Sequence, residues 1–182
     1  MCQKLLIYCF FMLSFPLVEA QTSQGTWLVG GSAGFTNAQS NSKSGVSVLT
    51  LSVNPIVGYF IKDNLAVGTG FTYESISRQY IKIGIGPIIR YYFIQIGENA
   101  NILSQVGLYS GSFNPKYGDK RTLYEVSLDL GFSYFLNENV ALESVISYIN
   151  TNATNYTDLS TTQARENRIG INIGFQISLG SR

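Results

Sequence analysis

The sequence TLYEVSLDLGFSYFL, residues 122–136, decides the fold. Apolar and aromatic residues alternate in it with charged, hydroxyl and glycine residues. The apolar set is Val126, Leu128, Leu130, Phe132 and Tyr134, and the polar set is Glu125, Ser127, Asp129, Gly131 and Ser133. A period of two is typical of a β-strand whose two faces meet different surroundings. The stretch therefore predicts a strand that lies between an apolar and a polar environment.

The same alternation recurs along the chain and predicts eight strands. They are expected at residues 25–36, 46–60, 65–77, 80–93, 101–111, 122–136, 140–149 and 167–179. The connections after the second, fourth and sixth strands are compact, whereas residues 37–45, 112–121 and 150–166 are polar and are interpreted as loops. A meander of this kind hides its edges by pairing the last strand with the first. Short turns on one rim and longer loops on the other are typical of outer-membrane barrels. The predicted fold class is all-β, a closed eight-stranded antiparallel up-and-down transmembrane barrel.

Two orientations of the sheet fit this alternation. A soluble ligand-binding barrel such as a lipocalin has its apolar face inward, and Gly25-Thr26-Trp27 matches the short Gly-x-Trp pattern of that family. Glycine favours the other orientation, because it weakens a solvent-facing strand but leaves room for large side chains inside a narrow lumen. The polar face carries Gly30, Gly34, Gly58, Gly68, Gly70, Gly84, Gly86, Gly131, Gly170 and Gly174.

Aromatic placement also favours an outward apolar face. Aromatic residues cluster near both ends of the strands, which predicts two girdles at the lipid interfaces around an aliphatic band. The girdle residues are Trp27, Tyr59, Tyr73, Tyr91, Phe93, Tyr134 and Tyr148. Phe60 and Phe135 beside the short turns, and Phe35, Tyr80 and Tyr124 near the opposite rim, are assigned to the same girdles.

Charged residues on the polar face are expected to lie in the lumen. They are Glu74, Lys82, Arg90, Glu125, Asp129 and Glu143, with Arg168 at the outer rim. Opposite charges at similar heights predict a network of ion pairs, since a buried charge needs a partner to offset its desolvation. Such a network is interpreted as a structural plug, with a narrow ion or small-solute pore as the alternative.

Composition excludes several kinds of chemistry. The chain has no histidine, which removes the Ser-His-Asp and Cys-His triads and the commonest metal ligand. The net charge is +1, so no basic surface is predicted that would bind nucleic acid. Charged residues make up 13% of the chain where about 25% is usual, which suits a protein whose outer surface is mostly out of water. We expect no enzyme activity, cofactor or metal.

The first 20 residues are predicted to be a signal peptide. Lys4 precedes an apolar run at residues 5–18, and Val18-Glu19-Ala20 has small residues at the offsets that signal peptidase requires. Cleavage after Ala20 would leave residues 21–182 as the barrel domain, exported through the Sec pathway. Cys2 and Cys9 are the only cysteines, so the mature part would contain none.

Three stretches carry a family resemblance. Residues 54–68, NPIVGYFIKDNLAVG, resemble the second hairpin turn of Bacteroidetes-type outer membrane β-barrel proteins, which share the small architecture of OmpA and OmpX. Residues 86–93 and 139–143 are similar to later strands of that family. The resemblance implies a bacterial outer membrane location, contact with its lipids, insertion by the barrel-assembly machinery, and a monomer with a structural or surface-interaction role through its loops. Such chains often end on an aromatic residue that the machinery reads, and this sequence departs from that pattern because it ends Leu179-Gly180-Ser181-Arg182. We expect Phe175 to serve as the signal instead.

Overall fold

The computed structural model describes residues 22–39, 47–76, 80–117, 120–157 and 160–180. The predicted signal peptide, residues 1–20, lies outside these ranges. The strands are β1 (Trp27–Gln39), β2 (Ser47–Lys62), β3 (Leu65–Ile76), β4 (Tyr80–Ile96), β5 (Ala100–Pro115), β6 (Arg121–Phe135), β7 (Val140–Thr157) and β8 (Ser160–Leu179). No helix long and apolar enough to cross a membrane occurs in these ranges.

Each strand pairs antiparallel with the next, and β8 returns to pair with β1. The sheet is therefore a closed eight-stranded up-and-down barrel, and the predicted fold class is confirmed. Three tight turns, at residues 63–64, 97–99 and 136–139, share one end, which we name the turn rim. Asn64 and Gly97 have positive φ values of 65° and 64°, as hairpin turns require. The opposite end is named the long-strand rim.

The predicted loop at residues 150–166 is strand at every described position, and the predicted loop at 112–121 is shortened to residues 116–120, so these boundaries were wrong. β5 continues to Pro115, and β7 and β8 stay paired as far as Thr157 and Ser160. Residues 150–166 are polar at alternate positions of both kinds, and the loss of alternation made this segment resemble a loop. Threonine is β-branched and suits a strand even where neither face is apolar. The first predicted loop, 37–45, is also shortened, because β1 runs to Gln39.

The apolar face of the sheet lies outside the barrel. On β6, Leu128 and Leu130 are exposed, whereas Ser127 and Ser133 are buried in the lumen. The outward side chains of the other strands are likewise mostly apolar. The apolar-inward arrangement of a soluble lipocalin-like barrel is therefore excluded for this chain.

The wall is less complete where β1 meets β8. Their pairing runs from Trp27↔Leu179 to Ala33↔Ile173, although β1 stays paired with β2 up to Gln39. Beyond Ala33 no β1–β8 pairing is present among the described residues. Ile171 on this part of β8 is 66% exposed, more than most outward side chains.

Candidate functional site in the barrel lumen

The half of the lumen nearer the turn rim contains an arginine cluster. The Nη1 atom of Arg90 on β4 lies 2.8 Å from Oε1 of Glu143 on β7, and both side chains are buried. Arg90 Nε also donates a hydrogen bond of 2.9 Å to Oε1 of Gln105. Glu143 Oε1 accepts a second bond, of 3.0 Å, from the Ser133 hydroxyl. Each charge thus has an ionic partner and a neutral one, which offsets the cost of burying it.

Tyr92 and Gln176 complete this cluster. The Tyr92 hydroxyl donates a hydrogen bond to Oε1 of Gln176 and lies 3.3 Å from Nη1 of Arg90. Gln176 in turn donates to the Ser178 hydroxyl at 3.1 Å. The arginine cluster therefore joins β4, β5, β6, β7 and β8 across the lumen.

A second charged cluster lies nearer the long-strand rim. Lys82 Nζ lies 2.5 Å from Oε2 of Glu125 and 3.1 Å from Oε2 of Glu74, so one lysine bridges two carboxylates. Arg168 Nη1 lies 2.5 Å from Oε1 of Glu74. The Thr151 hydroxyl donates to Oε2 of Glu125 at 3.0 Å. We name these residues the lysine cluster.

Asp129 lies between the two clusters and is in no ion pair within the described part of the chain. Its Oδ2 atom accepts hydrogen bonds from Gln105 Nε2 at 3.0 Å and from the Ser127 hydroxyl at 3.3 Å. The carboxylate lines a cavity of about 40 Å³. This volume is enough for a few water molecules. Because Gln105 also binds Arg90, the amide links Asp129 to the arginine cluster.

The structure thus brings together the lumen charges that the sequence singled out. Glu74, Lys82, Glu125 and Arg168 meet in one cluster, and Arg90 and Glu143 meet in the other. Asp129 is in the lumen but is bound by neutral donors only. Whether these groups plug the lumen stays a prediction at this stage.

Sequence reasoning missed an apolar layer that lies inside the lumen at the turn rim. Its largest members are fully buried: Leu28, Phe60, Leu103 and Phe135. Phe60 also packs against Tyr92, with ring centroids 6.0 Å apart. Residues 22–25, which precede β1, lie against the same rim, since Asn64 N donates to the Thr22 carbonyl at 2.8 Å.

The assignment of Phe60 and Phe135 to the outer girdle was therefore wrong. Both follow an outward tyrosine, Tyr59 and Tyr134 respectively, and adjacent residues of a strand point to opposite faces. Strict alternation would have placed them correctly. Tyr80 was also misassigned, because its hydroxyl donates to Oε1 of Glu74 at 2.6 Å and so reaches the lysine cluster.

The remaining girdle residues lie on the outer surface. Trp27 is 53% exposed and packs edge-on against Tyr59, with ring centroids 5.3 Å apart. The exposed set also includes Tyr73, Tyr91, Phe93, Tyr134, Tyr148 and Tyr124. The side chain of Phe35 lies outside the described residues.

Glycine gives the lumen room for one further aromatic side chain. Tyr109 points inward from β5, and a Cβ atom on Gly70 would lie 2.9 Å from its hydroxyl oxygen. A Cβ atom on Gly107 would lie 2.6 Å from the same oxygen. Both distances are shorter than a Cβ atom normally allows, so a larger residue at either position would require the Tyr109 ring to shift.

Solved structures with the same architecture support this description. Neisserial surface protein A is similar over 85% of this chain and 97% of its own, with a TM-score of 0.61 and 16% identity. The likeness shows the fold. The N-terminal β-barrel domain of OprF from Pseudomonas aeruginosa covers 86% of this chain and 98% of its own, with a TM-score of 0.56 and 11% identity. The outer membrane protein OprG from the same bacterium covers 89% and 99%, with a TM-score of 0.52 and 14% identity.

Comparison of the amino-acid sequence with known families and proteins gives no match. No protein-family model matches the chain, and no curated protein matches it. Within the described residues, no group of three or more histidine, cysteine or acidic side chains is placed to hold a metal ion. The fold is thus that of the small eight-stranded outer-membrane barrels, and the candidate site is the set of charged and polar side chains in its lumen.

Proposed function

We propose that the chain is a monomeric, sealed barrel of a bacterial outer membrane with a structural or surface-interaction role. The observation that carries this proposal is the filling of the lumen. An apolar layer around Phe60 lies beneath the arginine cluster, and the lysine cluster lies above the cavity at Asp129. These two side-chain barriers lie in series, with the cavity of about 40 Å³ between them.

The membrane location rests on the outer surface. A continuous belt of exposed aliphatic side chains would be costly in water, whereas aromatic residues at both of its edges suit the two lipid interfaces. The folds of the three solved neighbours agree with this location. Export by the Sec pathway, insertion by the barrel-assembly machinery with Phe175 as a signal, and membership of the Bacteroidetes-type family are part of the same proposal.

Conductance tests the sealed barrel. The purified full chain, folded into a planar lipid bilayer, should give no current steps. Phe60→Ala, Lys82→Ala and Arg90→Ala combined open both barriers and should produce small cation or anion currents. The matched control is Tyr59→Ala with Ile83→Ala and Ile89→Ala, which changes the outward neighbours and should stay silent. Steady current steps from the unchanged protein would contradict the proposal.

A narrow ion pore is the second candidate function, and the cavity at Asp129 favours it. This carboxylate lies between the two clusters and has no cationic partner among the described residues, so it could hold a cation in transit. If the unchanged chain conducts and Arg90→Ala or Glu143→Gln shifts that conductance, the pore replaces the sealed barrel. A silent bilayer excludes it.

A further inference from the structure

The charges around the lumen cavity do not balance. Its walls carry the three carboxylates of Glu125, Asp129 and Glu143, and one guanidinium, that of Arg90. Glu125 has an ionic partner in Lys82, and Glu143 has one in Arg90. The carboxylate of Asp129 is therefore a negative charge without compensation at the wall of the cavity.

Arg121 is a further inward cation of β6, but it does not reach this carboxylate. It lies at the lumen mouth, where its guanidinium carbon is 6.0 Å from the centroid of the Phe113 ring. Arg121 and Asp129 are eight positions apart on β6. That separation is about 26 Å along a strand. Because an uncompensated charge inside a protein is costly, Asp129 needs a counter-ion from the solution.

We propose that the cavity at Asp129 holds one monovalent cation, sodium by preference, as a permanent part of the folded barrel. The inference rests on the proposed sealed barrel, because an ion in a sealed lumen is resident, whereas in a pore it would be in transit. One negative charge lacks a partner, so a monovalent ion restores the balance and a divalent ion would exceed it. The cavity of about 40 Å³ has room for a small ion with about one water molecule.

The other groups around the cavity are those that a hard cation prefers. Such cations are bound by oxygen atoms of carboxylates, carbonyls, hydroxyls and water. Besides the carboxylate, the wall supplies hydroxyl or amide oxygen atoms from Ser32, Asn54, Ser127 and Ser147. The lack of histidine, from which no metal was expected, does not exclude an ion that is held by one carboxylate and neutral oxygen atoms.

The hydrogen bonds of Asp129 favour its ionised form. Its Oδ2 atom accepts from Gln105 Nε2 at 3.0 Å and from the Ser127 hydroxyl at 3.3 Å. The buried hydroxyl of Ser147 bonds to the same carboxylate. Donors of this kind stabilise a charged carboxylate rather than a protonated one. Each hydroxyl oxygen also has a second lone pair, which can face a cation beside the carboxylate.

The test is the dependence of barrel stability on sodium at constant ionic strength. The purified full chain is folded into vesicles of a zwitterionic lipid and unfolded with urea. Unfolding is compared in about 200 mM sodium chloride and in the same concentration of choline chloride, whose cation is too large for the cavity. An ion that binds only the folded barrel lowers the equilibrium constant of unfolding by the factor 1 + [Na⁺]/Kd. We expect sodium to lower it at least about fivefold relative to choline, and potassium to lower it less.

Three variants locate the ion. Asp129→Asn keeps the shape of the side chain and removes its charge, so its unfolding constant should differ by less than about twofold between sodium and choline. Ser127→Ala with Ser147→Ala keeps the carboxylate and removes two neutral ligands, so its sodium effect should be smaller than that of the unchanged protein. This variant tests the site even if Asp129→Asn does not fold. The control Glu98→Gln removes an exposed carboxylate at the turn rim and should keep the full sodium effect.

Three outcomes would overturn the inference. They are equal unfolding constants of the unchanged protein in sodium and choline, a full sodium effect in Asp129→Asn, and loss of the effect in Glu98→Gln. Bilayer conductance of the unchanged protein is measured in parallel. A silent bilayer without a sodium effect means that the resident ion is wrong and the sealed barrel stands. Steady current steps mean that the sealed barrel fails, and the resident ion fails with it because an ion at Asp129 would then be in transit.

Discussion

The two charged halves of the lumen stabilise their buried charges in different ways. Near the turn rim, Arg90 and Glu143 are surrounded by neutral partners and backed by an apolar layer. Near the long-strand rim, Lys82 is shared by two carboxylates, and the side chain of Arg168 remains 24% exposed. The buried charges of the arginine cluster are therefore stabilised by one ion pair and several hydrogen bonds. Those of the lysine cluster are stabilised by a chain of ion pairs.

Removing one charge from the deeper half should have the largest effect. Arg90→Met leaves Glu143 buried without its cation, and we expect a loss of about 4 kcal/mol in the free energy of unfolding. Urea unfolding of the barrel in lipid vesicles measures it. The matched control is Arg90→Met with Glu143→Gln, which removes both charges and should recover most of the loss. If the double variant is no more stable than the single one, the ion pair is not the reason for the effect.

The apolar layer should be the next most sensitive feature. Leu103→Ala leaves a hole in the lumen and is expected to cost about 3 kcal/mol. The control is Leu108→Ala on the outward face of the same strand, where lipid chains fill the space. The inward variant should therefore be less stable by about 1–2 kcal/mol, the cost of the cavity. Equal losses in the same urea experiment would mean that Leu103 is not enclosed.

In the lysine cluster, the coupling free energy between ion-pair partners should decrease toward the long-strand rim. A double-mutant cycle of Lys82→Met with Glu125→Gln should give a coupling free energy of about 2 kcal/mol, because both side chains are buried. The same cycle for Arg168→Met with Glu74→Gln should give about 1 kcal/mol or less, since Arg168 is partly in water. The reverse order would indicate that water enters deep into the lumen.

The alternation of apolar and polar residues alone predicted much of which side chains meet in the lumen. The period of two in residues 122–136 fixed which side chains of β6 share a face, and strand direction then gave the heights that bring Lys82 to Glu125. The prediction was wrong at Phe60 and Phe135, which were assigned to the outer girdle because they are aromatic. Strict alternation places both side chains in the lumen. The extension of β7 and β8 could not be read, because a strand with two polar faces has no alternation.

Contacts between strands that are far apart in the chain also could not be predicted from the sequence. The hydrogen bond from Tyr92 to Gln176 joins residues far apart in the chain, and it depends on the stagger between strands. The end of β1–β8 pairing at Ala33 and Ile173 depends on the same stagger. Residue type and spacing alone do not determine the stagger between these strands. It also depends on how side chains from all eight strands pack together inside the narrow lumen.

The most direct test of the central claim, that the apolar face meets lipid, uses the single tryptophan of the chain. Trp27 lies on the outer surface at the turn rim. In vesicles, its fluorescence should be quenched more strongly by lipids with a doxyl group near the headgroup than by lipids with one deep in the chain. Aqueous iodide should quench it weakly. Free quenching by iodide with no effect of either lipid quencher would contradict the account, because the outer face would then lie in water.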